Sequence, residues 1–489
     1  MILTTYFEKL HGWIPLLFGL VVLCTGLWSN DFEYDTDEGI NLMKALLLSN
    51  GYSLYRQIWS DQPPVFTYAL AGWFEVFGPG VIGSRILVLL LSILLLWSFQ
   101  QTLRFLENER HAWVATLLLA GANWYALYSF SVMIGLPALA VGMMSVWLVV
   151  VFRKTGAPYW ALLAGTVMGV SIQIKAFTGL ILPMIGVMCL VSLRPVLDQV
   201  PFKKRVTGLG LYTVGLVLTF WVILYATGTD LWQLTQPHLK ASELNPDKSI
   251  SPVLTLMRRD WMLAVLACSS LLLMTRKHGW RHALPFIWFA TAALVLHNHW
   301  PVWRHHGLLL MIPTAWAAGR MVIHLWDRGW KWSTVKSQYW ARVAVCLIIG
   351  WGTYTACRAI YRLAEGHDGA GPRLIRLLEQ NTGASKWVYT DRLMLAFRAG
   401  LMVPPPLAVI SVKRQKTGEL SDERIIEVLK TYQPYQLLLD RLNYGPAFYE
   451  YLKQHYVLNH RVDRKSLPDI QHYLRKPTPA APLIGVIGQ

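Results

Sequence analysis

The sequence predicts a mostly α, polytopic transmembrane helical protein that ends in a small C-terminal α/β domain. Three observations carry that expectation. The chain of 489 residues is 54% hydrophobic and only 15% charged, with a mean hydropathy of +0.36, too apolar for an ordinary soluble domain. Apolar runs of about 17–25 residues, the length that crosses hydrocarbon, recur along roughly the first three-quarters of the chain. After residue 361 the composition changes, and short strand-like apolar segments alternate with polar helices. The formal net charge of +17 has no basic patch set in a nucleic-acid-binding pattern, so basic loops beside a membrane explain it and no nucleic acid is expected as a partner.

The expected spans are 10–28, 81–100, 112–130, 132–152, 159–174, 176–193, 206–226, 261–275, 283–297, 307–325 and 341–361. That makes about eleven, and up to thirteen, with the shortest the least defined. Only Lys9 precedes the first run and no small-residue cleavage site follows it, which favours an uncleaved first helix. With the N-terminus cytoplasmic, the loops holding Arg104, Arg153, Lys203, Lys277 and Lys331 all fall inside, as the positive-inside rule asks. The expected location is a bacterial-type inner membrane. Its outer side then receives the loop 29–80, the polar loop 228–260, the turn near His299 and the C-terminal domain. Cys24, Cys189, Cys268, Cys346 and Cys357 lie in or beside apolar runs and form no CxxC pair, so they read as small buried hydrophobes.

The first outer loop is the unusual part. Asp31, Glu33, Asp35, Asp37 and Glu38 fall within eight residues, in a chain that has 28 acids against 45 Lys plus Arg. Residues 39–49 then space Ile40, Met43 and Leu47 as a helix does, and Asn50-Gly51 stops it. Pro63-Pro64 starts a second amphipathic stretch, 65–77, closed by Gly78-Pro79-Gly80. Two short helices lying in the membrane interface are expected, with Tyr52, Tyr55, Trp59, Phe66, Tyr68 and Trp73 at headgroup depth.

Beyond the spans, GHDGAG at 366–371 reads as part of a linker, 363–386, and 387–489 as the α/β domain. Segments 387–390, 407–411 and 436–440 look like strands, 421–432 and 446–456 like helices. No Gly-rich phosphate loop or metal-ligand spacing occurs in this domain.

Chemistry is expected at the outer face. A carboxylate such as Asp37 or Glu38, partly buried beside a membrane, gains basicity and suits a general base. Lys175 interrupts an apolar stretch at an outer helix end, where an ionisable group is costly unless paired or functional. Arg85 opens the second span, and Arg304-His305 follow Trp300-Pro301 at another outer end. These cations suit a phosphate, although anchoring to lipid headgroups is the alternative for each. His238 and Lys240 lie in the outer loop 228–260, where a loop over a site can position substrate. His297, His299 and His324 find no second cluster at ligand spacing, so no cofactor is assigned and a divalent metal is left open.

Taken in order, Asp37-Glu38-Gly39, Gly51-Tyr52, Asp61-Gln62-Pro63-Pro64, Phe77-Gly78 and Arg85 resemble the family C (GT-C fold) polyprenyl-phosphate-sugar-dependent glycosyltransferases, related to protein O-mannosyltransferases and the lipid A aminoarabinose transferase. Lys175 stands in a slot like that family's Thr-Lys-Gly, and Arg304-His305 precede a Leu-rich stretch ending in Pro313, as the family's basic residues do. The resemblance covers nearly all of the membrane part, 1–362, which it makes the catalytic domain.

It implies an inverting transfer of a sugar from a polyprenyl-phosphate-linked donor to a glycan, lipid or protein acceptor at the outer membrane face. Asp37 would be the base, with Glu38 in support. Arg85, Lys175, Arg304 and His305 would hold the donor phosphate, while Tyr55, Asp61, Gln62, His238 and Lys240 position substrate. Two positions depart from the family pattern. Gln62 stands where the aminoarabinose-transferase motif has lysine, and Gly135 where many relatives carry an acid. The rival readings are a transporter or flippase of a lipid-linked sugar and a catalytically inactive scaffold. A transporter ordinarily shows internal repeats and interrupted helices, and no clear repeat is visible here.

Overall fold

The computed structural model describes residues 11–26, 33–193, 200–243, 251–274, 280–299, 301–328, scattered positions from 339 to 361, 370–382, 385–462 and 469–477. Four helices are long and apolar enough to cross a membrane: Val81–Leu106, Gly135–Thr155, Phe202–Ala226 and Arg304–Asp327. Shorter apolar helices accompany them at Ile14–Thr25, Pro158–Ile174, Ala176–Leu190 and Trp261–Leu273, and Leu284–Asn298 packs against the last of the four long ones.

Most of these helices begin and end within a few residues of the expected runs, with two departures. The run 112–130 is two helices, Glu109–Ala120 and Asn123–Tyr128. The break has a cause in Asn123, whose backbone N–H and Nδ2 both donate to Asp260 Oδ1, at 2.9 and 2.8 Å. The run 176–193 opens as a 3-10 helix, Ala176–Ile181, behind an extended Lys175. Most of the run 341–361 lies outside the described residues. Of the five cysteines only Cys189 is buried; the others face outward from apolar helices, so their burial is not within the protein.

The helices expected at 39–49 and 65–77 are present as Thr36–Ser49 and Val65–Phe77. The first, hereafter the acidic helix, is not laid on a surface. Nine of its fourteen residues are buried, Glu38, Asn41 and Lys44 among them, because the C-terminal domain covers its outer side. Gly39 makes the close approach possible. A Cβ there would lie 2.4 Å from the backbone nitrogen of Met394, on the helix Leu393–Arg398.

That domain is built on a four-stranded sheet in the order β1-β2-β4-β3, with β1 Val388–Thr390, β2 Gln436–Leu439, β3 Tyr456–Val462 and β4 Ile470–Arg475. β1 and β2 are parallel, with Tyr389 opposite Leu437, and the other pairs are antiparallel. Helices Asp422–Tyr432 and Pro446–His455 match the expected ones. The segment 407–411 is not a strand: Pro404, Pro405 and Pro406 carry it into a short 3-10 turn, Pro405–Leu407, since proline cannot donate to a ladder. The expected linker is helical over Ala370–Glu379, with Leu374 and Leu378 buried.

Candidate active site

Asp35 caps the acidic helix, its carboxylate accepting the Asp37 N–H at 3.2 Å. The next two acids then point in different directions. Glu38 goes inward, with no exposure, and meets the equally buried Arg85 in a two-point ion pair, Nε to Oε1 at 3.2 Å and Nη2 to Oε2 at 3.0 Å. Its oxygens also accept the backbone N–H groups of Val132 and Tyr34, each at 2.9 Å, and the Arg85 guanidinium lies 4.8 Å from the Tyr34 ring centre. Asn41, one turn on, donates to the Val132 carbonyl at 2.9 Å. This knot ties the acidic helix to the segment before Gly135–Thr155. Glu38, expected to support Asp37, and Arg85, expected at the donor phosphate, are thus both wholly enclosed and paired with each other.

Asp37 faces the other way and stays partly exposed. Seven residues along a helix return to nearly the same face, so Lys44 follows Asp37 there, its Nζ 3.5 Å from Ser60 Oγ. Burial raises the Asp37 carboxyl above its ordinary 3.8, while the ammonium groups of Lys175 and Lys44 hold it down and Asp61 raises it further. Burial and the Asp37 charge push Asp35 up to about 7. Glu33, which accepts the Gly39 N–H at 3.3 Å, also rises to about 7 through burial, against the pull of Arg392 and Arg441.

Lys175 sits where Pro158–Ile174 ends, partly exposed. Burial lowers its ammonium to about 8, opposed by Asp37, Asp35 and Asp61. A Cβ on Gly135 would lie 3.8 Å from its Nζ, so the glycine leaves that ammonium open on one side. Phe177, whose ring centre is 5.6 Å from the same nitrogen, begins an aromatic wall. His299 and His306 stand edge-on to Phe177 at 4.8 and 5.0 Å, and His305 stands against His306 at 4.5 Å. His305 is buried in that wall, while Arg304 is exposed, close to Asp35, Tyr128 and Arg259.

The Asp61-Gln62-Pro63-Pro64 turn brings Asp61 beside Asp37 and completes the cluster, hereafter the recess. Tyr55, with φ of +69°, is held in that costly conformation and donates its hydroxyl to the Gln62 carbonyl at 2.8 Å. Gln62 Nε2 donates to Asp61 Oδ1 at 3.4 Å. His238 Nε2 lies 3.9 Å from Asp61 Oδ2 and 3.3 Å from its carbonyl oxygen. Lys413, from the C-terminal domain, makes an ion pair with the same Oδ2. Burial alone would raise the Asp61 carboxyl, but Lys413 and His238 outweigh it and hold Asp61 well below the usual carboxylate range. Lys240 lies within range of the Glu419 charge.

The recess therefore gathers Asp37, Asp61, Gln62, Tyr55, Lys175 and His238, with His305 in its wall and Arg304 at its rim. Lys44 and Lys413 escaped the sequence reading. Lys44 had a signal, a lone cation in the apolar run INLMKALLL two turns from Asp37. Lys413 had none, being 352 residues from its partner. Among the described residues no three His, Cys, Asp or Glu side chains are grouped to hold a metal.

Comparison with known proteins places this architecture. Residues 61–225 match the family described as dolichyl-phosphate-mannose-protein mannosyltransferase. Among solved structures, ArnT from Cupriavidus metallidurans bound to undecaprenyl phosphate is similar over 94% of this chain and 98% of its own, with a TM-score of 0.65 at 15% identity. The Archaeoglobus fulgidus oligosaccharyltransferase in its apo form covers 89% of this chain and 70% of its own, with a TM-score of 0.58 at 10% identity. No curated protein matches by sequence. The chain shares its fold with these two structures, and over residues 61–225 its sequence is similar to that mannosyltransferase family.

Proposed function

We propose that this protein is an inverting glycosyltransferase that moves a sugar from a polyprenyl-phosphate donor to an acceptor hydroxyl or phosphate at the outer membrane face. The observation that carries the reading is Asp37: a partly exposed carboxylate of raised basicity, beside the ammonium groups of Lys175 and Lys44. The structural likeness to an ArnT solved with undecaprenyl phosphate supports the choice of donor.

For a hydroxyl acceptor, Asp37 takes the proton as the acceptor oxygen bonds to the anomeric carbon from the side opposite the phosphate. The bond from that carbon to the phosphate oxygen breaks, and its electron pair leaves with the lipid phosphate. The donor phosphodiester becomes a phosphomonoester, gaining one negative charge. Lys175, with Arg304 at the rim, stabilises that charge as it develops. Glu38 and Arg85 act through the acidic helix, fixing the direction in which Asp37 points. Residues 1–362 serve as the catalytic membrane domain and 387–489 as an extracytoplasmic domain, in a multi-pass protein of a bacterial-type inner membrane.

The test is to incubate purified protein with a panel of polyprenyl-phosphate sugars and a glycan, lipid or peptide acceptor, and to follow release of polyprenyl phosphate. Release that needs an acceptor and falls about 100-fold or more in Asp37→Asn is expected. A transporter releases none, and that outcome, or full activity of the Asn variant, overturns the proposal.

A further inference from the structure

Lys413 stands on the short helix Val412–Lys416 of the C-terminal domain, yet its ammonium ends at Asp61 Oδ2. The two side chains are 10% and 8% exposed. A lysine held this way gives up hydration and rotamer freedom that a surface lysine keeps. Asp61 alone does not account for it, because Asp61 also has His238 at 3.9 Å and the charge of Lys44 close by. Gln62 offers this corner only a neutral amide, turned onto Asp61 Oδ1. Lys413 is near enough to Lys175 for the two ammonium groups to repel.

Three ammonium groups, Lys44, Lys175 and Lys413, thus crowd around two carboxylates, Asp37 and Asp61. Asp35 and Arg304, a neighbouring pair of opposite sign, leave that excess as it is. Cations kept together with too few carboxylates fit a site that takes an anion, and phosphate oxygens accept from several ammonium groups at once.

We propose that Lys413 is a phosphate ligand for the lipid-linked donor, carried to the recess by the C-terminal domain, and that the donor phosphate takes it over from Asp61. The proposal deepens the glycosyltransferase reading and rests on it. It makes the C-terminal domain part of the donor site.

The test uses the detergent-solubilised full chain and undecaprenyl phosphate as probe, with binding followed by tryptophan fluorescence. Lys413→Met is expected to weaken binding about ten- to a hundredfold, and Lys413→Arg to keep most of it. Phosphatidylglycerol, a lipid phosphodiester, is expected to compete poorly. Should Lys413→Met fail to fold for want of a partner to Asp61, Lys413→Met combined with Asp61→Asn removes both charges and is expected to bind as weakly. Wild-type affinity in either variant, with at most a lower melting temperature, makes Lys413 a mere latch on Asp61 and overturns this inference while leaving the glycosyltransferase reading intact. Equal binding of phosphatidylglycerol also overturns it, as a general headgroup site. No binding by the wild type takes down the donor assignment itself.

Discussion

In the proposed reaction two residues divide the chemistry, one needed without its proton and the other with it. Asp37 must be ionised to accept a proton, and burial holds its pKa above the ordinary 3.8. Activity should therefore rise with pH through a value higher than that of a free aspartate. Lys175 must stay protonated to stabilise the leaving phosphate, and burial brings it down to about 8. Activity should fall again as pH passes that value. The profile of kcat/KM against pH is then a bell, and Lys175→Arg, whose guanidinium stays charged, should remove the alkaline limb near pH 8. An unchanged alkaline limb in that variant would take Lys175 out of the phosphate role. At the same scale, the mutual pairing of Arg85 and Glu38 was not legible in the sequence. Each has the composition of a site residue, a charge beside a membrane, but their pairing spans 47 residues and is visible only once the acidic helix has packed. Losing one partner of such a buried pair ordinarily costs about 3–5 kcal/mol, so loss of activity on mutating either does not by itself indicate catalysis.

At the scale of elements, the acidic helix was legible in its body and its stop, because apolar periodicity and Asn50-Gly51 are local signals, whereas its start lies three residues before the one read, behind the Asp35 cap. Its burial was not, since what covers it lies more than 340 residues further on. The edge strand β3 was missed for a related reason: most of its residues are exposed, so it has no clean alternation to read. Gly39 offers a test in which two effects compete. Replacing glycine by alanine inside a helix ordinarily stabilises by about 0.5–1 kcal/mol. Here the new Cβ meets the Met394 backbone nitrogen at 2.4 Å, and backbone cannot turn aside as a flexible side chain can. Overpacking of this kind costs about 1–3 kcal/mol or more, so the net sign reverses. Gly39→Ala should lower the melting temperature and expose the helix Leu393–Arg398 to proteolysis. A variant that melts higher than the parent would mean that the two elements do not meet as described.

Across the whole molecule, the C-terminal domain packs against the acidic helix and the segment that follows it, to residue 77. Besides Gly39 and Lys413, Trp387 meets Tyr52 at 5.8 Å, Phe397 meets Phe74 at 5.8 Å, and the Arg414 guanidinium lies 4.2 Å from the Trp59 ring centre. Composition made the membrane part and the small α/β domain legible, and motif order made the family resemblance legible. The docking between them was not, because aromatic and cationic residues so far apart leave no periodic signal. The docking puts Asp37 and the C-terminal domain on one side, so the proposed orientation can be tested directly. Gly135–Thr155 is 21 residues long, about 30 Å at 1.5 Å per residue, and its first residue lies beside Lys175. Its far end, with the exposed Lys154, is therefore about one hydrocarbon thickness from the recess. Cysteine placed at the exposed position 453 of the C-terminal domain, Lys453→Cys, should react with a membrane-impermeant maleimide on intact cells. Lys154→Cys should react only after the membrane is opened, with the parent protein setting the background from its own cysteines. The reverse pattern would put Asp37 and Lys413 on the cytoplasmic side and remove the outer-face reaction from the proposal.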